Sequence, residues 1–201
     1  PTCGKRFDSI GVDSTEENRR DYRELLFRSK GMKGNIGGVI LFDETIRQEA
    51  KDGTLLRDII SDQGALPGIK VDKGLQPIED CPNETVTVGL DGLDERLKEY
   101  SSMGAKFTKW RAVINIGNGI PTDRCIDANM QALADYAKCA QDNGMVPIVE
   151  PEVLMDGEHN IDECYEATER SLKSLFSHLE KASVNIKGTL LKPNMVTSGK
   201  D

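Results

Sequence analysis

Apolar positions along the chain alternate between two kinds of pattern. Short apolar runs rich in β-branched residues occur at "GGVILF" (37–42), "PGIKV" (67–71), "AKFTKWRAVI" (105–114), "MVPIVEPEV" (145–153) and "GTLLKPN" (188–194). Between them lie longer stretches with apolar residues at helical spacing. "STEENRRDYRELLFRSKG" (14–31) offers Ser14 as N-cap with Glu17 three residues on, then Tyr22, Leu25 and Leu26 on one face and Gly31 as a stop. "RQEAKDGTLLRDIISDQG" (47–64) carries Leu55, Leu56, Ile59 and Ile60, and "GLDGLDERLKEYSSMG" (89–104) carries Leu90, Leu93, Leu97 and Tyr100. Residues 122–144 place Ile126, Met130, Leu133, Ala137 and Ala140 on one face, ending at Gly144; residues 162–183 do the same with Leu172, Leu175, Phe176 and Leu179.

Five strands separated by amphipathic helices predict parallel βαβ units. An open doubly wound sheet and a closed (β/α)8 barrel both satisfy that alternation. Two features favour the barrel. No GxGxxG or GxxxxGK[ST] fingerprint follows a strand, and "GNGIPTD" (117–123) lacks the third glycine and the lysine. Four consecutive strands also end in charge, where a barrel carries its working residues. Lys70, Lys109, Glu150 and Lys192 follow one another at intervals of 39, 41 and 42 positions with no accompanying sequence repeat.

Side chains two apart in a strand share a face. That puts Lys109 with Arg111, Glu150 with Ile148 and Glu152, Lys70 with Gly68, and Lys192 with Leu190 and Gly188. Pointed into one barrel mouth, these residues predict a mixed cluster of three lysines, one arginine and two glutamates. A lysine crowded by cations and lodged against apolar neighbours loses its proton more readily and attacks carbonyls to form a Schiff base. Carboxylates nearby would move protons, and the spare cations suit phosphate. Asp72 and Lys73, beside Lys70, read as a local structural pair.

Composition narrows the partners. With 26 basic against 34 acidic residues the net charge is −8, which disfavours nucleic acid and anionic membranes. No run reaches the roughly 18 apolar residues of a membrane span. Five cysteines without a CxxC pair fit reduced thiols in a cytosol-like compartment, and two histidines supply a metal site poorly. The "NET" sequon at 83–85 carries no weight without a secretory signal.

The stretches "SIGVDSTEENRRDYRELL", "IGGVILFDET", "PGIKVDKGLQP", "GLDGLDERLKEY", "GAKFTKWRAVINIG", "QDNGMVPIVEPEVLMDGEHNID" and "GTLLKPNMVTSG" span nearly the whole chain, and together it resembles class I fructose-bisphosphate aldolase. The resemblance implies a (β/α)8 TIM barrel, reversible aldol cleavage of fructose 1,6-bisphosphate to dihydroxyacetone phosphate and glyceraldehyde 3-phosphate, and a lysine Schiff base without a metal or other cofactor. It assigns the Schiff base to Lys192, general acid/base work to Glu150 and its support to Glu152 and Lys109. Lys70 and Arg111 are implied as phosphate contacts, and Arg6 and Arg19 as substrate-binding arginines. One departure is Lys187 where the family has glutamate before "GTLLKP", at the strand start, away from the chemistry.

The resemblance also implies a single partial barrel over residues 1–201, covering strands two to six of eight. A first strand ending in a catalytic aspartate would precede Pro1, and two strands with the second phosphate site would follow Asp201. Little turnover is then expected of these residues alone. For the full-length protein the implied setting is a cytoplasmic homotetramer, or a plastid form if a transit peptide precedes it, acting on a phosphosugar. The competing expectation is a non-catalytic scaffold or cytoskeleton-binding aldolase-like protein, against which intact Lys192, Glu150 and Lys109 weigh.

Overall fold

The computed structural model describes residues 2–201, and the chain falls into two compact units. The first contains residues up to Ile69 together with 103–105; the second contains 70–102 and 106–201.

In the first unit, α1 (Thr2–Asp8) and α2 (Glu16–Phe27) precede β1 (Gly38–Leu41), followed by α3 (Asp43–Arg47), α4 (Leu56–Asp62) and β2 (Leu66–Lys70), whose last residue belongs to the second unit. β1 and β2 pair in parallel from Gly38 opposite Leu66 to Leu41 opposite Ile69. Leu41, Ile46, Leu56, Ile60 and Ile69 are sealed from solvent and form the core.

Three details of this unit depart from the hydrophobic pattern. The N-cap of α2 is Thr15, not Ser14: the Thr15 hydroxyl accepts from Asn18 N at 3.1 Å, while the carbonyl of Ser14 is taken by Arg19. Leu25 and Leu26 are exposed, because the inward stripe of α2 runs through Arg19, Arg23 and Phe27, with the two arginines met by Glu44 and Gln48. Of the helix expected over 47–64 only α4 forms, since α3 ends at Arg47 and a turn in which Ala50 N donates to Thr54 O at 2.8 Å precedes α4.

The second unit opens with an antiparallel hairpin, β3 (Leu75–Ile78) and β4 (Cys81–Thr87), which the periodicity did not reveal. Pro77 and Pro82 interrupt its strands, and Asn83 has a left-handed backbone, so no clean alternation marks it. Then come α5 (Leu93–Ser102), β5 (Phe107–Ile114), α6 (Asp123–Asp142), β6 (Val146–Val153), α7 (Ile161–Lys181), a 3-10 turn (Ile186–Gly188) and β7 (Leu190–Leu191). β5 and β6 run parallel in eight register pairs, from Phe107 opposite Val146 to Ile114 opposite Val153. β7 adds only two, Leu190 opposite Ile148 and Leu191 opposite Val149.

Helices cover one side of this sheet. Trp110 turns toward α6 and stacks on Tyr136, ring centroids 5.4 Å apart, with both rings fully buried. The Tyr136 hydroxyl shares a 2.7 Å hydrogen bond with Thr108 Oγ1 and reaches the Ile148 carbonyl at 3.3 Å, tying α6 to both β5 and β6. Burial pushes that phenol well above its ordinary pKa, so it stays a neutral structural group. The face expected for α6 is buried at all five positions, whereas on α7 Leu175 and Leu179 are buried and Phe176 is exposed. A capping box between Asn160 and Glu163 starts α7. β7 is the last strand in the sheet order of these residues, and Leu190 and Leu191 are exposed there.

Candidate active site

The alternation that turns Trp110 toward the helices sends Lys109 and Arg111 to the opposite face of β5. On β6 the same alternation presents Glu150 and Glu152. β7 brings up the remaining cation: Lys192 N donates to Val149 O at 2.9 Å, so its side chain leaves the sheet beside Glu150.

Glu150 is the centre of the cluster. Its Oε1 accepts from Lys192 Nζ and its Oε2 is in close ion-pair contact with Lys109 Nζ. The Glu150 side chain is 4% exposed and that of Lys109 13%, while that of Lys192 is 56% exposed. One buried carboxylate thus bridges an inner and an outer ammonium. The inner pair meets the requirement that a buried charge be matched. The outer lysine can be reached from solvent.

Where the sequence suggested a desolvated lysine crowded by cations, Lys192 is half-exposed and has one cation, Lys109, across a shared carboxylate. It faces a carboxylate, and the second ammonium is held on that carboxylate's other oxygen. A proton can be passed to or from Lys192 directly, because Glu150 is already in hydrogen-bond contact with it.

The other two cations proposed for the site, Arg111 and Lys70, are also paired. Arg111 Nε donates to Glu152 Oε2. Lys70 Nζ, 37% exposed, donates to Asp72 Oδ1 at 2.5 Å and to the Asp72 carbonyl at 3.1 Å, and the Asp72 side chain is nearly buried. The structure gives Lys109 to Glu150 and Arg111 to Glu152, so both residues named in support of Glu150 lie on its face of the sheet.

Arg6 and Arg19 belong to the first unit, where their partners are internal. Arg6 Nη1 donates to Tyr22 Oη at 3.2 Å, and Arg19 grips Glu44 through Nε at 3.1 Å and Nη2 at 2.9 Å. Asn194, two residues beyond Lys192, was not singled out in the sequence. Its only signal there is its place after Pro193, where a strand can no longer donate.

The second unit thus holds one carboxylate shared by two lysines, together with the Arg111–Glu152 and Lys70–Asp72 pairs. The family profile of class-I fructose-bisphosphate aldolase matches residues 1–201. The chain belongs to the class I fructose-bisphosphate aldolase family. It is 56% identical over 199 residues to a probable fructose-bisphosphate aldolase class 1 of Xanthomonas campestris, covering 99% of this chain and 60% of that protein. It is 51% identical to a cytosolic fructose-bisphosphate aldolase of Arabidopsis thaliana, covering all of this chain and 51% of that one.

Among solved structures, a fructose-bisphosphate aldolase from Plasmodium falciparum, crystallised with TRAP and a small-molecule inhibitor, superimposes with a TM-score of 0.97 at 47% identity. It covers 99% of this chain, which spans 58% of that one. The fold is accordingly a partial α/β barrel of the aldolase type. Other relatives include a chloroplastic aldolase of Chlamydomonas reinhardtii, so the family occurs in more than one compartment. No helix among the described residues is long and apolar enough to cross a membrane.

Proposed function

We propose that the full-length protein carrying this chain cleaves fructose 1,6-bisphosphate reversibly into dihydroxyacetone phosphate and glyceraldehyde 3-phosphate, through a Schiff base on Lys192 and without a metal. The observation that supports this most is Glu150, which holds Lys192 on one carboxylate oxygen and Lys109 on the other.

The geometry suits each early step. Lys192 must give up a proton before its nitrogen can attack the ketone carbon, and Glu150 Oε1 is in contact to take it. The carbinolamine must then lose its hydroxyl as water, and the proton just taken is the one that leaves with it. Lys109 keeps the carboxylate charge matched in the interval. The resulting iminium draws the electron pair of the neighbouring carbon–carbon bond and becomes an enamine as that bond breaks. The hydroxyl proton of the departing aldehyde needs a base, which the resemblance places on an aspartate upstream of Pro1.

Lys70 and Arg111 then serve the phosphates. Both are part-exposed and paired with carboxylates, so a phosphate binds by displacing Asp72 or Glu152 from a cation already in place. We assign Glu152 to this charge balance, and Arg6 and Arg19 to binding substrate. The same reading takes the protein to be a cytoplasmic homotetramer, with no nucleic-acid or membrane partner.

The test uses the full-length protein. Incubation with dihydroxyacetone phosphate, borohydride reduction and peptide mass spectrometry is expected to give one adduct, on Lys192, lost in Lys192→Ala and unaffected by chelator. An adduct on another residue, or none in the wild type, removes the mechanism.

A further inference from the structure

β7 carries the nucleophile of the cluster, and its ladder with β6 is short: two register pairs, ending at Lys192 N. Beyond that point both strands have proline: Pro193 cannot donate, and neither can Pro151, whose position in β6 turns its backbone toward β7 as Val149 does. On the β6 side, backbone pairing thus stops immediately after it has placed the lysine.

Side-chain amides take over at both ends. Before β7, Gln141 Nε2 on α6 donates to Asn185 O at 2.8 Å and to Thr189 Oγ1 at 3.2 Å. After it, Asn194 Oδ1 accepts from Val153 N at 3.4 Å, the next donor of β6 that faces β7, and Asn194 Nδ2 donates to Thr168 Oγ1 on α7 at 3.0 Å. Thr168 is buried, so this second contact is to a fixed point. From there no further backbone anchor occurs among the described residues until Gly199 N donates to His159 O at 2.7 Å.

We propose that Asn194 is a positioning residue for the Schiff-base reaction: by bridging Val153 of β6 and Thr168 of α7, it sets the exit of β7 and so holds Lys192 at Glu150. This rests on the assignment of Lys192 above. Asn194 makes its contacts to protein on the far side of Pro193, so its loss changes the alignment of the amine and not the binding of the phosphosugar. Misplacement of a reacting group by about 1 Å costs on the order of 100-fold in rate.

In the full-length protein, Asn194→Ala is expected to lower kcat by about 10- to 100-fold with KM changed less than about twofold, and to slow borohydride-trapped adduct formation at Lys192 in step. Thr168→Val, which removes the hydroxyl at nearly constant shape, is expected to reproduce most of that loss, Thr168→Ser to restore it, and the double variant to lose no more than Asn194→Ala. Wild-type turnover and trapping in Asn194→Ala would overturn the proposal. So would a loss carried mainly by KM, or a Thr168→Val enzyme that behaves as wild type. If Asn194→Ala does not fold, the Thr168 pair decides. Absence of any Lys192 adduct in the wild type would instead strike the assignment of the nucleophile, a separate outcome.

Discussion

Glu44 and Glu150 are each gripped by two cations, yet the two clusters differ in the kind of cation they use. Glu44, in the first unit, lies between Arg19 and Arg23, with Gln48 donating to the same oxygen at 3.0 Å and accepting from Arg23 at 2.8 Å. Glu150, in the second, lies between Lys109 and Lys192, and among the described residues no side-chain amide braces it. Guanidinium groups stay protonated and fork onto a carboxylate, so the Glu44 cluster can neither exchange a proton nor attack a carbonyl. Ammonium groups are point charges that can become amines. The pattern of charge is the same in both places; the kind of cation decides whether it is a clamp or a reactive centre.

Lys192→Arg would turn the second cluster toward the first while keeping its charge. The full-length variant is expected to lose turnover by about 10⁴- to 10⁶-fold, the scale seen when a nucleophile is removed, and to form no reducible adduct. Turnover within tenfold of wild type would break the comparison outright. Glu150→Gln is the next largest change: it leaves both lysines but removes the shared proton acceptor. Its kcat is expected to fall by about 10²- to 10⁴-fold, with Lys192 still labelled, only more slowly. Labelling at the wild-type rate would show that Glu150 does not handle the proton of Lys192.

Much of this was legible in the sequence because strand alternation is local. It turned Trp110 one way and Lys109 and Arg111 the other, and it put Glu150 and Glu152 on one face. What alternation cannot supply is which cation meets which carboxylate. Arg111 lies opposite Glu150 in the register, yet each ion pair runs one step further along, Lys109 to Glu150 and Arg111 to Glu152. That choice is made by the offset of parallel strands and the reach of the side chains, both tertiary properties.

Elsewhere the apolar pattern misled for a related reason. α2 spends its inward face on Arg19 and Arg23, so leucines that look like core are left outside. Asn194 escaped attention altogether, since its role comes from Val153 and Thr168, 41 and 26 positions away.

Glu44→Gln tests the clamp half of the comparison and is expected to have the smallest effect of these three, on stability. Burial pushes the Glu44 carboxyl up, but the Arg19 hydrogen bond and the field of Arg23 outweigh it and leave the group below the ordinary range. A lowered folded-state pKa means that the native protein holds Glu44 ionised when the unfolded chain has begun to protonate it. Its contribution is therefore fully present above the unfolded value of about 4.3 and disappears as the pH falls through the lower folded value. At pH 7, Glu44→Gln is expected to cost about 1.5–3 kcal/mol, the range for hydrogen bonds to charged groups. Urea unfolding of wild type and variant from pH 7 down to pH 3 should show that gap narrowing only below about pH 4.3. A gap that stays constant across the series would mean that the carboxylate's charge contributes nothing there, and that Glu44 is held by packing and neutral hydrogen bonds alone.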